Sequence, residues 1–233
     1  MKIINPKSLA ETLDALNEVF FYERELTNAQ RTQAAEWIAS RQGMPRSYAE
    51  MPAPTDDDFR RGIRVFTGQR VKTLGSIAHI LGQEACRALT KLEVHTAKVD
   101  RALEASVKGF LGRLRDPGRR QGTYCCGICS AAYWRHLAAG GLANTERELE
   151  AGMWDLHEHG TDDGKWSRYP FFYTLLALHE IDTSMALTEM RHAAPVCEKL
   201  LKRHAKGKYD QRQHDLAERV LLKCGTLNDY WPS

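Results

Sequence analysis

Along most of the chain apolar residues recur every three to four positions with polar residues between them, the period of an amphipathic helix. Leu9, Leu13, Leu16 and Phe20 open the series. They follow Ser8-Leu-Ala-Glu11, whose hydroxyl and carboxylate suit a capping box, so a helix is predicted over 8–22. Thr27-Asn-Ala-Gln30 repeats the device, and the second helix carries Ala34, Trp37 and Ile38 toward Arg41 before stopping at Gly43. Pro45, Pro52 and Pro54 then interrupt the pattern over 44–58. The apolar Met44, Tyr48 and Met51 favour a strap packed over the body, with a linker as the alternative.

Helical spacing resumes after a short helix capped by Thr55 or Asp56. A stripe from Leu74 to Val94 includes Ile77, Leu81, Ala85 and Leu92, and a further helix over about 96–115 ends at Asp-Pro-Gly, 116–118. Tyr124 to Ala139 makes the next helix, closed by Gly140-Gly141, and Asn144 or Thr145 caps another that reaches His159. Pro170 suits the first turn of a helix. Asp182 or Thr183 opens one that Pro195 must kink or restart, and the last runs over about 210–224 to Gly225. No segment alternates with period two, and no Asn-Gly hairpin signal occurs. The pattern predicts an all-α chain of about ten helices, many paired as hairpins, in a single domain over 1–233.

Composition narrows the class. With 42% hydrophobic and 27% charged residues in 233, the chain has an ordinary globular balance. It has no apolar run of about 18 residues, so no membrane span is expected. The opening MKIINPKSLAETL lacks a signal core, and six cysteines without a signal point to the reducing cytoplasm, as free thiols or metal ligands. A net charge of +3 is too small to imply a nucleic-acid partner by itself.

The candidate chemistry gathers between Gln121 and Ile181. Cys125 and Cys129 would share one helical face about 6 Å apart along the axis, where two thiolates could hold a zinc ion. His136 lies about 10 Å beyond Cys129, so further ligands must come from residues such as His157, His159 or Asp163. Two other readings compete. Cys125, Cys129, Ala132 and Tyr133 can form a packing stripe, or a thiol at the helix N-terminus, Cys125 or Cys126, can be reactive. Cys126-Gly-Ile-Cys129 also resembles the nucleophile segment of papain-like proteases, although Ser130 replaces the expected aromatic residue and no β-rich half follows.

Asp163-Gly-Lys-Trp166, followed by Tyr169-Pro-Phe-Phe-Tyr173 and Leu175-Leu-Ala-Leu178, resembles one repeat of the α/α-toroid proteins, the terpenoid cyclases and protein prenyltransferases. The resemblance implies an α/α-toroid-like or superhelical array in which this turn joins two helices. Trp166, Tyr169, Phe171, Phe172 and Tyr173 would then line a cavity for an apolar or partly apolar small molecule, facing the helix of Cys125 and Cys129. The acidic motifs DxDD and DDxxD and the zinc-binding Asp-x-Cys of those families are absent. A second function class competes with this one. Lys199, Lys202, Arg203, Lys206, Lys208 and Arg212 could form a basic face for nucleic acid or protein, as could Arg113, Arg115, Arg119 and Arg120. Glu189 and His192, three residues apart, could make a polar pair in a cavity wall.

Overall fold

The computed structural model describes residues 2–116 and 118–225; 62% of these described residues are helical, in ten helices with little strand. No described helix is long and apolar enough to cross a membrane. The chain divides into two compact units. The first comprises Met1–Phe66, Arg70–Arg119 and Ala139–Thr145; the second comprises Thr67–Gln69, Arg120–Ala138 and Glu146–Ser233.

In the first unit α1 (Leu9–Phe21) and α2 (Asn28–Ala39) pack on α4 (Leu74–Leu92), and α2 also packs on α5 (Ala97–Leu114). Thr27 and Gln30 form the capping box of α2 in full. At α1 the box is half made: Ser8 accepts the Glu11 amide, while the Glu11 carboxylate goes to Asn5 instead. The Ser8 amide donates to Asn5 O at 3.1 Å, and the next two amides of the first turn are taken by Asp58, in the short helix α3 (Asp56–Arg61). Its buried carboxylate takes Ser8 Oγ at 2.6 Å and the amides of Leu9 and Ala10 at 3.0 and 3.3 Å. The same carboxylate accepts the Thr55 amide at 2.8 Å, so one side chain caps two helices.

The proline-rich 44–58 segment lies against its unit, with Met51, Ala53 and Thr55 buried. Two helical glycines make room for it. A Cβ at Gly82 of α4 would meet Met51, and one at Gly109 of α5 would fall 2.4 Å from Ala49 O. Arg41 holds the far end through the carbonyls of Ala53 and Pro54, at 2.5 and 3.0 Å.

The second unit holds α6 (Gly127–Ala138), α7 (Thr145–Glu158, from its second residue), α8 (Phe171–Glu180), α9 (Ser184–Leu201) and α10 (Lys208–Cys224). α9 and α10 pack as a hairpin, and α8 lies against both of them and against α6. Arg135 of α6, almost fully buried, reaches Glu180 of α8 through Nε and Nη2 at 2.9 and 3.0 Å and stacks on Tyr173. Glu148 of α7 accepts Tyr133 Oη and the Gly122 amide, both at 3.0 Å. Trp134 Nε1 donates to Gly122 O at 2.7 Å, and Gly152 leaves the space its indole needs.

Three local features depart from the expectations. α6 begins at Gly127 rather than Tyr124: Ser130 N and Oγ both donate to Cys126 O, and Ser130 Oγ accepts the Tyr124 amide, so this serine turns the chain before the helix starts. Of the two outcomes expected at Pro195, the restart does not occur, since α9 is continuous through it. Two antiparallel hairpins occur, β1 (Ile63–Arg64) with β2 (Arg70–Val71) and β3 (Gly160–Thr161) with β4 (Lys165–Trp166). Strands of two residues are too short to leave a period in the sequence.

Candidate functional site

The Asp163-Gly-Lys-Trp166 motif is the turn of the β3–β4 hairpin. The Gly164 amide closes it on Thr161 O at 3.0 Å, and Asp163 is held by Thr161 Oγ1 and by an ion pair with Lys165. Gly164 has φ +77°, and a Cβ there would lie 3.0 Å from His192 O and 3.1 Å from Val196 on α9. Only glycine satisfies both the left-handed backbone and this approach. Trp166 is buried and completes the attachment, with Nε1 donating to Glu189 Oε2 of α9 at 2.8 Å and its ring stacked on Phe171. The other Glu189 oxygen meets His157 Nδ1 at 2.8 Å, while His192 Nε2 donates to Lys165 O at 3.2 Å. Glu189, His192 and Val196 thus form the stripe of α9 that receives the hairpin. Glu189 and His192 belong to one wall, but their partners are Trp166 and Lys165 rather than each other.

Beside this attachment, the hairpin, α9 and α10 border a half-open cavity of about 1080 Å³. Its floor is apolar, from Phe172, Pro195, Val196 and Leu200. Four cations also border it: Lys199 in the last turn of α9, Arg203 just past the end of that helix, Lys165 and Lys206. His192, His204 and His214 line it as well. Three carboxylates line it too: Asp163 pairs with Lys165, Asp210 accepts the Lys206 amide at 3.1 Å, and Asp162 stands in the hairpin turn. Among the described residues neither Lys199 nor Arg203 forms an ion pair. Arg212 does not line the cavity, being buried over the Tyr209 ring.

A second, smaller cavity of about 310 Å³ lies at the start of α6. Cys125 and Cys126 line it with Asp155, His159 and Tyr169, and Arg120 and Arg168 flank it. Asp155 is buried, accepts the Tyr169 hydroxyl and pairs with Arg120 at 2.8 Å. Burial, with the Asp155 hydrogen bond, pushes the Tyr169 phenol well above its ordinary range. His159 Nδ1 lies 2.7 Å from Asp155 O; a carbonyl only accepts, so Nδ1 is the donor.

The thiols of Cys125, Cys126 and Cys129 are close enough to share hydrogen bonds, and the Cys125 and Cys129 sulfurs lie within 4.8 Å of each other. The bond to Cys126, together with burial, pushes Cys125 up to about 11. Cys129 is pushed up further, by its bonds to Cys125 and Cys126 and by burial. Neither thiol has the depressed pKa that a reactive thiolate at a helix N-terminus requires.

The five aromatic residues singled out in the sequence do not gather in one described cavity. Trp166 and Tyr173 are core, Tyr169 faces the smaller cavity, Phe172 the larger one, and Phe171 is half-buried against Trp166. His157 and His159 diverge to Glu189 and Asp155 as i, i+2 positions on a helix must. Asp163 is taken up by the hairpin turn. Sequence reasoning missed Asp155, Arg168 and His214, which belong to no motif; for Arg168 the only signal was its place beside Tyr169, and Lys165 was visible only as the lysine of the Asp163–Trp166 turn.

No protein-family model, no curated protein and no solved structure matches this chain. What remains is the chemistry of the two cavities.

Proposed function

We propose that the second unit binds a partly apolar small molecule bearing an anionic group, in the cavity bordered by the β3–β4 hairpin, α9 and α10. The observation that carries this reading is the pairing of apolar lining residues with two cations that form no ion pair among the described residues. Lys199, in the last turn of α9, and Arg203, just past its end, line the same cavity as Phe172, Val196 and Leu200. The cavity, at about 1080 Å³, is at the upper end of the range that ligand sites occupy, about 300–1,000 Å³. A guanidinium and an ammonium in one cavity suit a phosphate or carboxylate, and the apolar lining accepts the attached chain or ring. Of the aromatic residues first considered for such a ligand, Phe172 is the one this reading retains. An α/α-toroid-like arrangement of the second unit belongs to the same proposal; its support is the packing of α8 against α6 and the hairpin turn that links α7 to α8. So does a place in the reducing cytoplasm, supported by six cysteines that are all free thiols.

The test is calorimetric titration at low salt with three probes: decyl phosphate, inorganic phosphate and decanol. Decyl phosphate should bind more tightly than either fragment. K199A/R203A should weaken it about a hundredfold, about tenfold for each charge-assisted hydrogen bond removed. Equal binding by the variant, or no binding of decyl phosphate, would overturn the reading. An oligonucleotide that binds in preference to decyl phosphate would replace it with the nucleic-acid interaction module.

A further inference from the structure

The smaller cavity is built from different residues and carries a different chemistry. Cys126 stands immediately before α6, and its carbonyl accepts the Ser130 amide at 2.8 Å, so this cysteine holds the capping position of the helix. Cys129 follows in the first turn, which gives a Cys-x2-Cys spacing at a helix N-terminus. Cys125 and Cys126 are exposed and line the cavity, whereas Cys129 is buried. Gly127 brings a cation to these thiols. A Cβ there would lie 2.1 Å from Arg168 O, so only glycine lets the chain from Arg168 to Tyr169 lie against the start of the helix. Arg168 and Arg120 both line the cavity. Arg120 is committed to Asp155 and Glu158, while the exposed Arg168 forms no ion pair among the described residues.

The hydrogen bonds among the thiols have a direction. A thiol that donates its proton to a neighbouring sulfur holds that proton more tightly, and the partner gains as an anion. Cys125 is pushed up to about 11 foremost by its bond to Cys126, and Cys129 is pushed up by its bonds to Cys125 and Cys126 and by burial. Both bonds to Cys126 therefore run toward it, and on this sulfur the cluster best meets a negative charge. The positive end of the α6 dipole and the two arginines act in the same sense. Geometry also selects the partner for oxidation. Adjacent Cα atoms are about 3.8 Å apart, short of the roughly 4.4–6.8 Å that a disulfide spans, which disfavours Cys125–Cys126. Residues three apart at the start of a helix fall inside that range, which points Cys126 to Cys129.

We propose that this cavity is a thiol–disulfide exchange site for small acidic disulfides, with Cys126 as the attacking thiolate, Cys129 as the resolving thiol and Arg168 as the partner of a substrate carboxylate. The cavity, at about 310 Å³, lies at the lower end of the range that ligand sites occupy, about 300–1,000 Å³. In the first step the Cys126 sulfur gives up its proton and attacks one sulfur of R–S–S–R. The disulfide bond breaks, one R–S anion leaves and takes up that proton, and Cys126 carries the other R–S group as a mixed disulfide. In the second step the Cys129 sulfur gives up its proton and attacks the Cys126 sulfur, expelling the second R–S anion, which leaves protonated. Two protein thiols have lost two electrons and two protons, and the small disulfide has become two thiols. The oxidant is the substrate itself, and excess small thiol drives the same steps in reverse.

The test uses the reduced full chain, folded and in urea, with two probes: oxidised glutathione, which is anionic, and cystamine, which is cationic. The reaction is quenched with acid, released thiol is counted, and the products are mapped by mass spectrometry. A Cys126–Cys129 bridge with about two glutathione molecules released per chain is expected, formed at least about tenfold faster than any disulfide in urea. C129S should stop with one glutathione bound on Cys126. C126S should form neither product at that rate, although Cys125 stays exposed. Folding should accelerate the reaction of oxidised glutathione more than that of cystamine. R168A should slow oxidised glutathione about tenfold, the worth of one charge-assisted hydrogen bond, and leave cystamine unchanged. Glutathione on Cys125 rather than Cys126, a Cys125–Cys129 bridge, or a folded chain no faster than the unfolded one would overturn the exchange site. Equal acceleration of the two probes, or R168A reacting as the parent does, would overturn the acidic substrate class. The parent's rates and product map decide the matter even where C129S does not fold.

Discussion

The attachment of the β3–β4 hairpin to α9 rests on a buried carboxylate, and Trp166→Phe tests how much it contributes. The substitution keeps most of the ring stacked on Phe171 but removes the indole N–H that Glu189 accepts at 2.8 Å. Glu189 is 2% exposed and retains His157 as a hydrogen-bond partner. A hydrogen bond to a charged group is worth about 1.5–3 kcal/mol, and truncating the bicyclic ring adds about 1 kcal/mol, so a loss of about 2–4 kcal/mol is expected. In a chain of this size that lowers the melting temperature by about 4–16 °C. Glu189→Met should cost a similar amount, because it strands a buried indole N–H. The double variant removes both partners and leaves neither group unsatisfied, so it should be more stable than the two single effects added together, by about 1–3 kcal/mol. Urea unfolding of the four proteins, followed by far-ultraviolet circular dichroism, measures that coupling. A coupling within about 0.5 kcal/mol of zero would refute the reading that Trp166 and Glu189 act as a pair.

Two further outcomes follow from the first unit. Asp58→Ala removes the shared cap of α1 and α3 and strands buried amides, so urea unfolding should show a loss of about 2–4 kcal/mol; a loss under 1 kcal/mol would mean that water replaces the carboxylate. Burial pushes the Cys86 thiol up to about 12, above its unfolded value, so its contribution is fully present below about pH 8.5 and is lost as pH rises toward 12. Over that window the unfolded chain binds fewer protons, and stability should fall by up to about 1.4 kcal/mol per pH unit from this thiol; Cys86→Ala should reduce the slope of melting temperature against pH, and an unchanged slope would refute the assignment.

Helices were legible from the sequence because their information is local. The stripe from Leu74 and the Thr27–Gln30 box each lie within a few turns, and α4 and α2 formed where those signals placed them. The cap of α1 shows where locality ends: Ser8 was readable, but Asp58, which accepts its hydroxyl, lies 50 residues away, and nothing near Glu11 signals that its carboxylate will go to Asn5. The start of α6 shifted for a related reason, since the Ser130 hydroxyl competes for the backbone of the preceding turn and periodicity does not register that competition.

Site assembly depended on tertiary structure throughout. The density of aromatic residues after Trp166 was visible in the sequence, but not which way each one faces. That was decided when Gly164 allowed the hairpin to dock on α9, burying Trp166 against Glu189 and leaving Phe172 at the larger cavity. The basic C-terminal residues were visible as a group, yet folding sorted them. Lys199, Arg203 and Lys206 line one cavity while Arg212 is buried over Tyr209, because the end of α9 and the connection to α10 border that cavity and the packing of α9 on α10 turns Arg212 inward. Sequence determined which segments are helical and which residue types are available for chemistry. The fold decided which of them meet, because convergence depends on contacts between residues far apart in the chain.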